Sequence, residues 1–518
     1  MFPRRDPLPT LIERRAGERP EAPYVLEGDD VLTYSEFNTV VAEWAEVLTA
    51  WGVRSGSKVV TILPTSAAAL AIWIALARLG ALEVAMNPAY RGDVLRGALA
   101  DVAPDLVMTS PHADALADLP EQRVRVEIVD VAGHPQPGPD LARAAPSLTQ
   151  PRDHDLATVI FTSGTTGRSK GVLVPWRQLA DTAWWSWPTD GMSDADRWYS
   201  PWPLFHVSGK VGPYTAALAG GSVVLRDGFR ASEFWPDVRR YRTTLTILPG
   251  TTLNFLYSRP VEAAERDNPL RGVYVAPLPP DPQAVMDRFG IRICTAFNMS
   301  ELGTPIVSGW WPSCPTDSCG RLRPGASALI VDENDEPVPV GEAGELAVRS
   351  DETWGIMAGY IGRADATVAA WRNLWFHTGD RFRVDSAGNY YWLGRIHDSL
   401  RRRGENISAA EVEAAVVSHP AVAACAVIGA PGDHGDQEVH AVVVADEAVT
   451  ARDIWAHADD RLPKFMVPRF ITFVDSLPLT PTRRVRKHDL AEIVVGLPRW
   501  DALDASTEST GKFEESHT

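Results

Sequence analysis

Cysteine is scarce in this chain of 518 residues. Cys294, Cys314, Cys319 and Cys425 are too few and too scattered for a disulfide framework, which points to a reducing compartment. No histidine or second cysteine pair completes a metal site beside Cys314 and Cys319, so they read as structural. Positive charge is also in deficit. Fifty Lys and Arg against 67 Asp and Glu leave a net charge of −17. That repels nucleic acids and anionic membrane surfaces at long range. Long apolar runs are missing too: the longest, AAALAIWIALA at 67–77, stops at Arg78, short of the ~20 residues of a membrane span. The N-terminal MFPRRDPLPTLIERR lacks the apolar core of a signal peptide, and no internal repeat is visible. These absences point to a cytoplasmic protein with no membrane span, long enough for two or more domains and a large core.

What is present begins with FTSGTTGRSKG at 161–171. Glycines let a backbone turn its N–H groups inward, hydroxyls add donors, and Lys170 supplies charge, so the stretch suits phosphate. It is not the common nucleotide P-loop, in which Lys-Ser/Thr directly follows the last glycine. The plainer alternative is a polar loop between a strand and a helix.

The apolar run LATVIF before it predicts a buried strand. Similar runs at 221–227, 244–250 and 291–297, with helical or Pro-rich segments between, predict an α/β fold with parallel strands. From about 321 a small β subdomain is expected, with a hairpin around DENDEP. After Arg395 the pattern predicts a compact α+β domain: a helix opened by Ser408 and Glu411, two strands, a helix capped by Thr450, and the strand RFITFVD. The expected domains are therefore 1–395 and 399–495, with a break near 398 and a disordered polar tail at 501–518.

Four segments taken together, FTSGTTGRSKG, FNMSE (297–301), WFHTGD (375–380) and GRIHDSLRRRGENISAAEVE (394–413), resemble the adenylate-forming superfamily. The wording is most similar to acyl-CoA synthetases of the crotonobetaine/carnitine-CoA ligase-like branch. The resemblance implies a large N-terminal α/β domain with a β subdomain and a small mobile α+β C-terminal domain. It implies ATP, Mg²⁺ and CoA as cofactors and co-substrate. Thr162, Ser163, Gly164, Thr165, Thr166, Gly167 and Lys170 would grip the triphosphate, and Asn298, Met299 and Ser300 would contact the nucleotide. Glu301 and Thr166 would hold the metal; a hard carboxylate suits Mg²⁺. Asp380 would accept from the ribose hydroxyls, and Arg395 would make a second ribose or phosphate contact. His206 would lie at the acid pocket, Asp398 at the hinge, and Gly404 on the loop offered to the acceptor. Taken singly, Glu301 reads as a surface residue capping a helix, Thr-Gly-Asp as a turn, and His206 as a packed core histidine. Arg401, Arg402 and Arg403 suit CoA phosphates or a solvated face.

Two departures from that pattern stand out. In PLTPTRRVRK (478–487), Arg484 takes the place of the lysine that bridges substrate carboxylate and α-phosphate. A guanidinium fork is not interchangeable with an ammonium. In VYVAPLPP (273–280), Tyr274 and Val275, ahead of Ala276, replace small residues beside the acid and would narrow the pocket. Trp184, Trp185, Trp187, Trp310 and Trp311 suit either core packing or an aromatic-lined pocket. The reading that follows is an acid–CoA ligase for a small or aromatic acid. A diazotase of secondary metabolism, activating nitrite for coupling to an amine, is the alternative, and a non-catalytic nucleotide-binding protein is the third.

Overall fold

The run LATVIF is the body of a strand, Leu156–Thr162, one of seven in a mixed sheet. Across that sheet run Gly359–Tyr360, Lys170–Pro175, Leu156–Thr162, Leu82–Ala85, Lys58–Ile62, Leu106–Thr109 and Arg125–Ile128. The last five are parallel, and Lys170–Pro175 returns antiparallel to Leu156–Thr162. A second seven-stranded sheet has Arg197–Ser200 in its middle, paired in parallel with Ser222–Leu225 and Leu245–Pro249. The parallel α/β architecture expected from the sequence is present.

This computed structural model describes residues 6–503 except 91, 112–124, 131–145, 163–168, 189–191, 262–264, 397–398, 403–404, 432–436, 447, 463, 465, 481–482 and 484. The chain divides into two units: Met1–Leu248 with Val261–Leu329 and Ala347–His377, and Pro249–Pro260 with Ile330–Leu346 and Thr378–Thr518. Among the described residues no helix is long and apolar enough to cross a membrane.

In the first unit the longest apolar run forms the helix Ala67–Arg78, capped by the Ser66 hydroxyl, which accepts from the Ala69 N–H at 3.1 Å. A helix apolar all round belongs in a core, and its residues from Ala68 to Arg78 are buried. Trp73 on this helix stacks on Trp176, which meets Tyr214 edge-on. Trp176 starts the helix Trp176–Trp185, and Tyr214 lies on Val207–Ala219. The first two helices lie against the first sheet and Val207–Ala219 against the second, so a helical layer separates the sheets.

In the second unit, Val422–Pro431, Gln437–Ala445, Phe470–Phe473 and Trp500–Asp501 form a four-stranded sheet. Successive strand residues face opposite sides. Cys425 and Val427 pack with the helices Ala409–Val417 and Ala451–Arg461, whereas Ala426 and Ile428 pack with Leu490 on the other face. Thr450 caps the second helix, as expected, in a reciprocal box with Asp453. The DENDEP turn is present, with Asp332 N–H donating to Glu336 O at 2.9 Å and Asp335 at φ +64°. One boundary needs correction. Asp501 pairs with Phe470 and binds Arg469, so a tail counted from 501 begins too early, and residues 504–518 lie outside the described set.

Candidate active site

Thr162 and Lys170 face each other at the open end of the antiparallel pair Leu156–Thr162 and Lys170–Pro175. The phosphate loop therefore joins two strands, not a strand and a helix. Ser163, Gly164, Thr165, Thr166 and Gly167 lie outside the described residues. The Lys170 ammonium sits 4.9 Å from the Tyr360 ring centroid. Tyr360 belongs to the edge strand Gly359–Tyr360, which pairs with Lys170–Pro175. Tyr90, beside Ser169, was not singled out in the sequence; burial raises its phenol pKa and a hydrogen bond with Ser169 opposes the rise.

Glu301 lies at the tip of a hairpin between Ala296–Met299 and Gly303–Val307, 7% exposed. It is neither on a helix nor on the surface. Tyr360 Oη donates to Glu301 Oε1 at 2.9 Å, and Met357 N–H donates to the Glu301 carbonyl at 2.9 Å. The helix Trp176–Trp185 clamps the turn from behind: Gln178 Nε2 donates to Ser300 O at 2.7 Å. Gly303 is required there, since at φ +65° a Cβ would lie 2.4 Å from Thr182 Oγ1. Asn298 Nδ2 donates to Thr304 Oγ1 at 3.1 Å, and Met299 is buried. A buried carboxylate whose hydrogen-bond donor among the described residues is a neutral phenol suits a cation, because a buried anion needs a countercharge. Tyr360 is thus a shared neighbour of Lys170 and Glu301, and no motif in the sequence marked it.

His206 is the N-terminal boundary of the helix Val207–Ala219, half-buried, with its ring 4.6 Å from that of Phe205. In the strand Gly272–Ala276, Tyr274 and Ala276 share one face and Val275 takes the other, fully buried. The three expected pocket residues therefore do not line one wall. Tyr274 Oη donates to Ala296 O at 3.4 Å. Trp187 is core: it meets Trp198 and Trp310, and the Arg292 guanidinium lies 4.4 Å from the Trp310 ring centroid.

In the second unit, Asp380 is 1% exposed and pairs across strands with Arg395. Its Oδ1 accepts from Trp392 Nε1 at 2.9 Å and lies 3.1 Å from Arg395 Nε. The two residues expected at the ribose are thus together, with Trp392 as an unforeseen third. Asp398, Gly404 and Arg484 lie outside the described residues. Around Arg484, Leu479 bridges Val485, Arg486 N–H donates to Pro478 O at 2.8 Å, and Arg483 adopts φ +59°. Arg402 is engaged within its own domain: its Nε lies 2.6 Å from the buried Glu438 carboxylate, and its Nη1 donates to Val467 O at 3.1 Å. Cys294, Cys314 and Cys425 are buried and free.

Residues 12–361 match the AMP-binding enzyme family, and 411–484 match the AMP-binding enzyme C-terminal domain. The chain belongs to this family. It is 31% identical to a sulfoacetate–CoA ligase of Cupriavidus necator, over 93% of this chain and 97% of that one. It is 28% identical to a crotonobetaine/carnitine–CoA ligase of Citrobacter koseri, over 88% and 92% of the two chains. Among solved structures it resembles O-succinylbenzoate coenzyme A synthetase of Bacillus subtilis in complex with ATP and magnesium ion. There the TM-score is 0.82 at 25% identity, covering 93% of this chain and 99% of that one. The relatives are acyl-CoA synthetases, as the motif wording implied.

Proposed function

We propose that the protein is an ATP-dependent, AMP-forming ligase of the acid–CoA type, joining a small or aromatic carboxylic acid to CoA. The acid's carboxylate oxygen attacks the α-phosphorus, the bond to the β-phosphate oxygen breaks, and acyl-AMP and pyrophosphate result. The CoA thiol then attacks the acyl carbon, and AMP leaves. The observation that carries this reading is the cluster of Lys170, Tyr360 and Glu301 beside the phosphate-loop strand.

Each residue then has a task. Lys170 and Thr162, with Ser163, Gly164, Thr165, Thr166 and Gly167, hold the triphosphate. Glu301 and Thr166 would hold Mg²⁺, which, when bound, neutralises charge on the departing pyrophosphate. Asn298, Met299 and Ser300 form the nucleotide-facing hairpin. Asp380 accepts from the ribose hydroxyls, and Arg395, which orients the Asp380 carboxylate, makes a second ribose or phosphate contact. His206, with Tyr274 and Ala276, receives the acid, while Val275 serves packing. Arg484 supplies the cation at the reacting carboxylate, and Gly404 serves the acceptor. Asp398 is the hinge between the N-terminal domain ending near 395 and the C-terminal domain that starts near 399 and includes the strand Trp500–Asp501. A cytoplasmic location fits the free cysteines. Nothing in the comparisons supports the nitrite reading.

The test is product identification. With ATP, Mg²⁺, CoA and a panel of acids, mass spectrometry should find acyl-CoA, AMP and pyrophosphate together. Release of ADP, or diazotised amine from nitrite with no acyl-CoA from any acid, overturns the proposal.

A further inference from the structure

Glu83, on the strand Leu82–Ala85, is 4% exposed, and its Oε2 lies 2.6 Å from the ammonium of Lys210, which is wholly buried. Thr158 Oγ1 donates to the same oxygen at 2.7 Å, and Thr61 Oγ1 donates to Oε1 at 3.3 Å. The Lys210 ammonium also sits 3.8 Å from the Trp73 ring centroid. Three adjacent strands and two helices thus converge on one ion pair in the layer between the sheets. Burial pulls the Lys210 pKa below its ordinary value, and Glu83 opposes that.

Stability alone is a poor reason for such a pair. Taking two charges out of water costs about what their attraction returns, and an apolar pair of similar volume would hold the core as well. Placement gives a better reason. Lys210 follows His206 by four residues, one helical turn on the same face, and its N–H donates to His206 O at 3.3 Å. Thr158 precedes Thr162 by four residues on the strand whose end faces Lys170. A second tie lies close by: Leu204 N–H donates to Thr65 Oγ1 at 3.3 Å. A small cavity of about 10 Å³ is lined by members of both parts, Glu83 and Thr61 of the network and Leu204 and Phe205 of the turn leading to His206.

We propose that the Glu83–Lys210 pair, seated by Thr158, is a strut that fixes the His206 turn against the strand carrying Thr162 and held opposite Lys170. The acid-receiving side chain and the triphosphate-holding side chains are thereby kept in register for attack on the α-phosphorus. Glu83, Lys210 and Thr158 are positioning residues; none touches substrate. This inference rests on the site roles proposed above for His206 and Lys170.

The experiment compares Lys210→Met, the uncharged pair Glu83→Gln with Lys210→Met, Thr158→Val, and His206→Ala as a control. The substrate is an acid shown active in the product screen. Thermal unfolding, ATP affinity, single-turnover acyl-AMP formation at saturating ATP, and thioester formation from supplied acyl-AMP are measured. Lys210→Met, which leaves a buried unpaired carboxylate, lowers Tm; the double variant recovers it. A misplacement of about 1 Å can cost a hundredfold, so the double variant should form acyl-AMP about tenfold to a hundredfold more slowly. Its ATP affinity and thioester formation should stay within about twofold of the parent. Thr158→Val, which keeps the ion pair, should slow the same step by a few-fold. Parental acyl-AMP formation in the folded double variant overturns the strut. If the double variant does not fold, parental acyl-AMP formation in Thr158→Val overturns it. The control separates the two failures: if His206→Ala forms acyl-AMP like the parent, the site reading itself fails, whereas a slow His206→Ala beside unaffected strut variants sinks the strut alone.

Discussion

Glu301 and Asp380 are both buried carboxylates at the ends of family motifs, yet their surroundings differ in sign. Glu301 meets a neutral phenol, 2.9 Å away. Asp380 meets an indole N–H and the Arg395 guanidinium, 2.9 and 3.1 Å away. Among the described residues, the first anion has a neutral donor and no countercharge, whereas the second has a guanidinium. Under the proposed roles, the first would be completed by a cation that arrives with the substrate. The second, under the same roles, already has its countercharge and would accept hydrogen bonds from neutral hydroxyls. Two side chains of one chemical type thus have different surroundings within about 3 Å, and the tasks proposed for them follow from that difference.

The largest effect is expected at Glu301. Glu301→Gln keeps the volume and the acceptor for Tyr360 but removes the charge. Loss of one preorganised electrostatic partner at the developing charge costs on the order of a hundredfold. Acyl-AMP formation should fall by about that factor, and the Mg²⁺ concentration for half-maximal rate should rise. ATP affinity measured without metal should barely change. An unchanged Mg²⁺ dependence would remove the distinction between the two carboxylates.

Some of this contrast was legible in the sequence, and some was not. FNMSE and WFHTGD marked Glu301 and Asp380 because each sits in a contiguous stretch of unusual residues. Tyr360 and Trp392 were invisible, since each reaches its carboxylate by strand pairing: Tyr360 through the edge strand beside Val172, Trp392 across the hairpin from Phe382. Period-two patterning predicted the strands but not their neighbours. The same holds for Glu83 and Lys210, 127 residues apart, which in sequence look like one charge in a strand and one in an apolar helix. Arg402 shows the converse. A run of three arginines suggested a phosphate surface or a solvated face, but the hairpin strand Ser399–Arg402 packs on Gln437–Ala445, which brings its middle member to Glu438. That contact joins two separate sheets, and composition does not encode it.

Asp380→Asn should have the next largest effect, and on a different quantity. The amide cannot accept with both arms, and it leaves Arg395 without its anion. A hydrogen bond to a charged group is worth roughly 1.5–3 kcal/mol, so the KM for ATP should rise at least about tenfold. The Mg²⁺ dependence should not move. A 2′-deoxy-ATP comparison sharpens the test: the parent should discriminate against it, and Asp380→Asn should discriminate less. Equal discrimination by both proteins would place the ribose contact elsewhere.

The smallest effect belongs to Tyr360, where two substitutions separate two interactions. Tyr360→Phe removes the 2.9 Å hydrogen bond to Glu301 but leaves a ring beneath the Lys170 ammonium. Loss of such a bond costs about 0.5–1.5 kcal/mol, so the Mg²⁺ requirement should shift by about two- to tenfold, with little change in the KM for ATP. The direction is set by freedom of the carboxylate: an unheld Glu301 must be ordered by the ion, which weakens binding. Tyr360→Leu removes the ring as well, and with it an attraction of about 0.5–1 kcal/mol that holds Lys170 at an exposed or half-exposed site. This second variant should therefore raise the KM for ATP by a few-fold beyond Tyr360→Phe. Because Tyr360 touches both Glu301 and Lys170, the pair of variants reports separately on the proposed metal carboxylate and the proposed phosphate lysine. If Phe and Leu behave alike in both constants, the cation–π contact does no positioning, and Lys170 is placed by its strand alone.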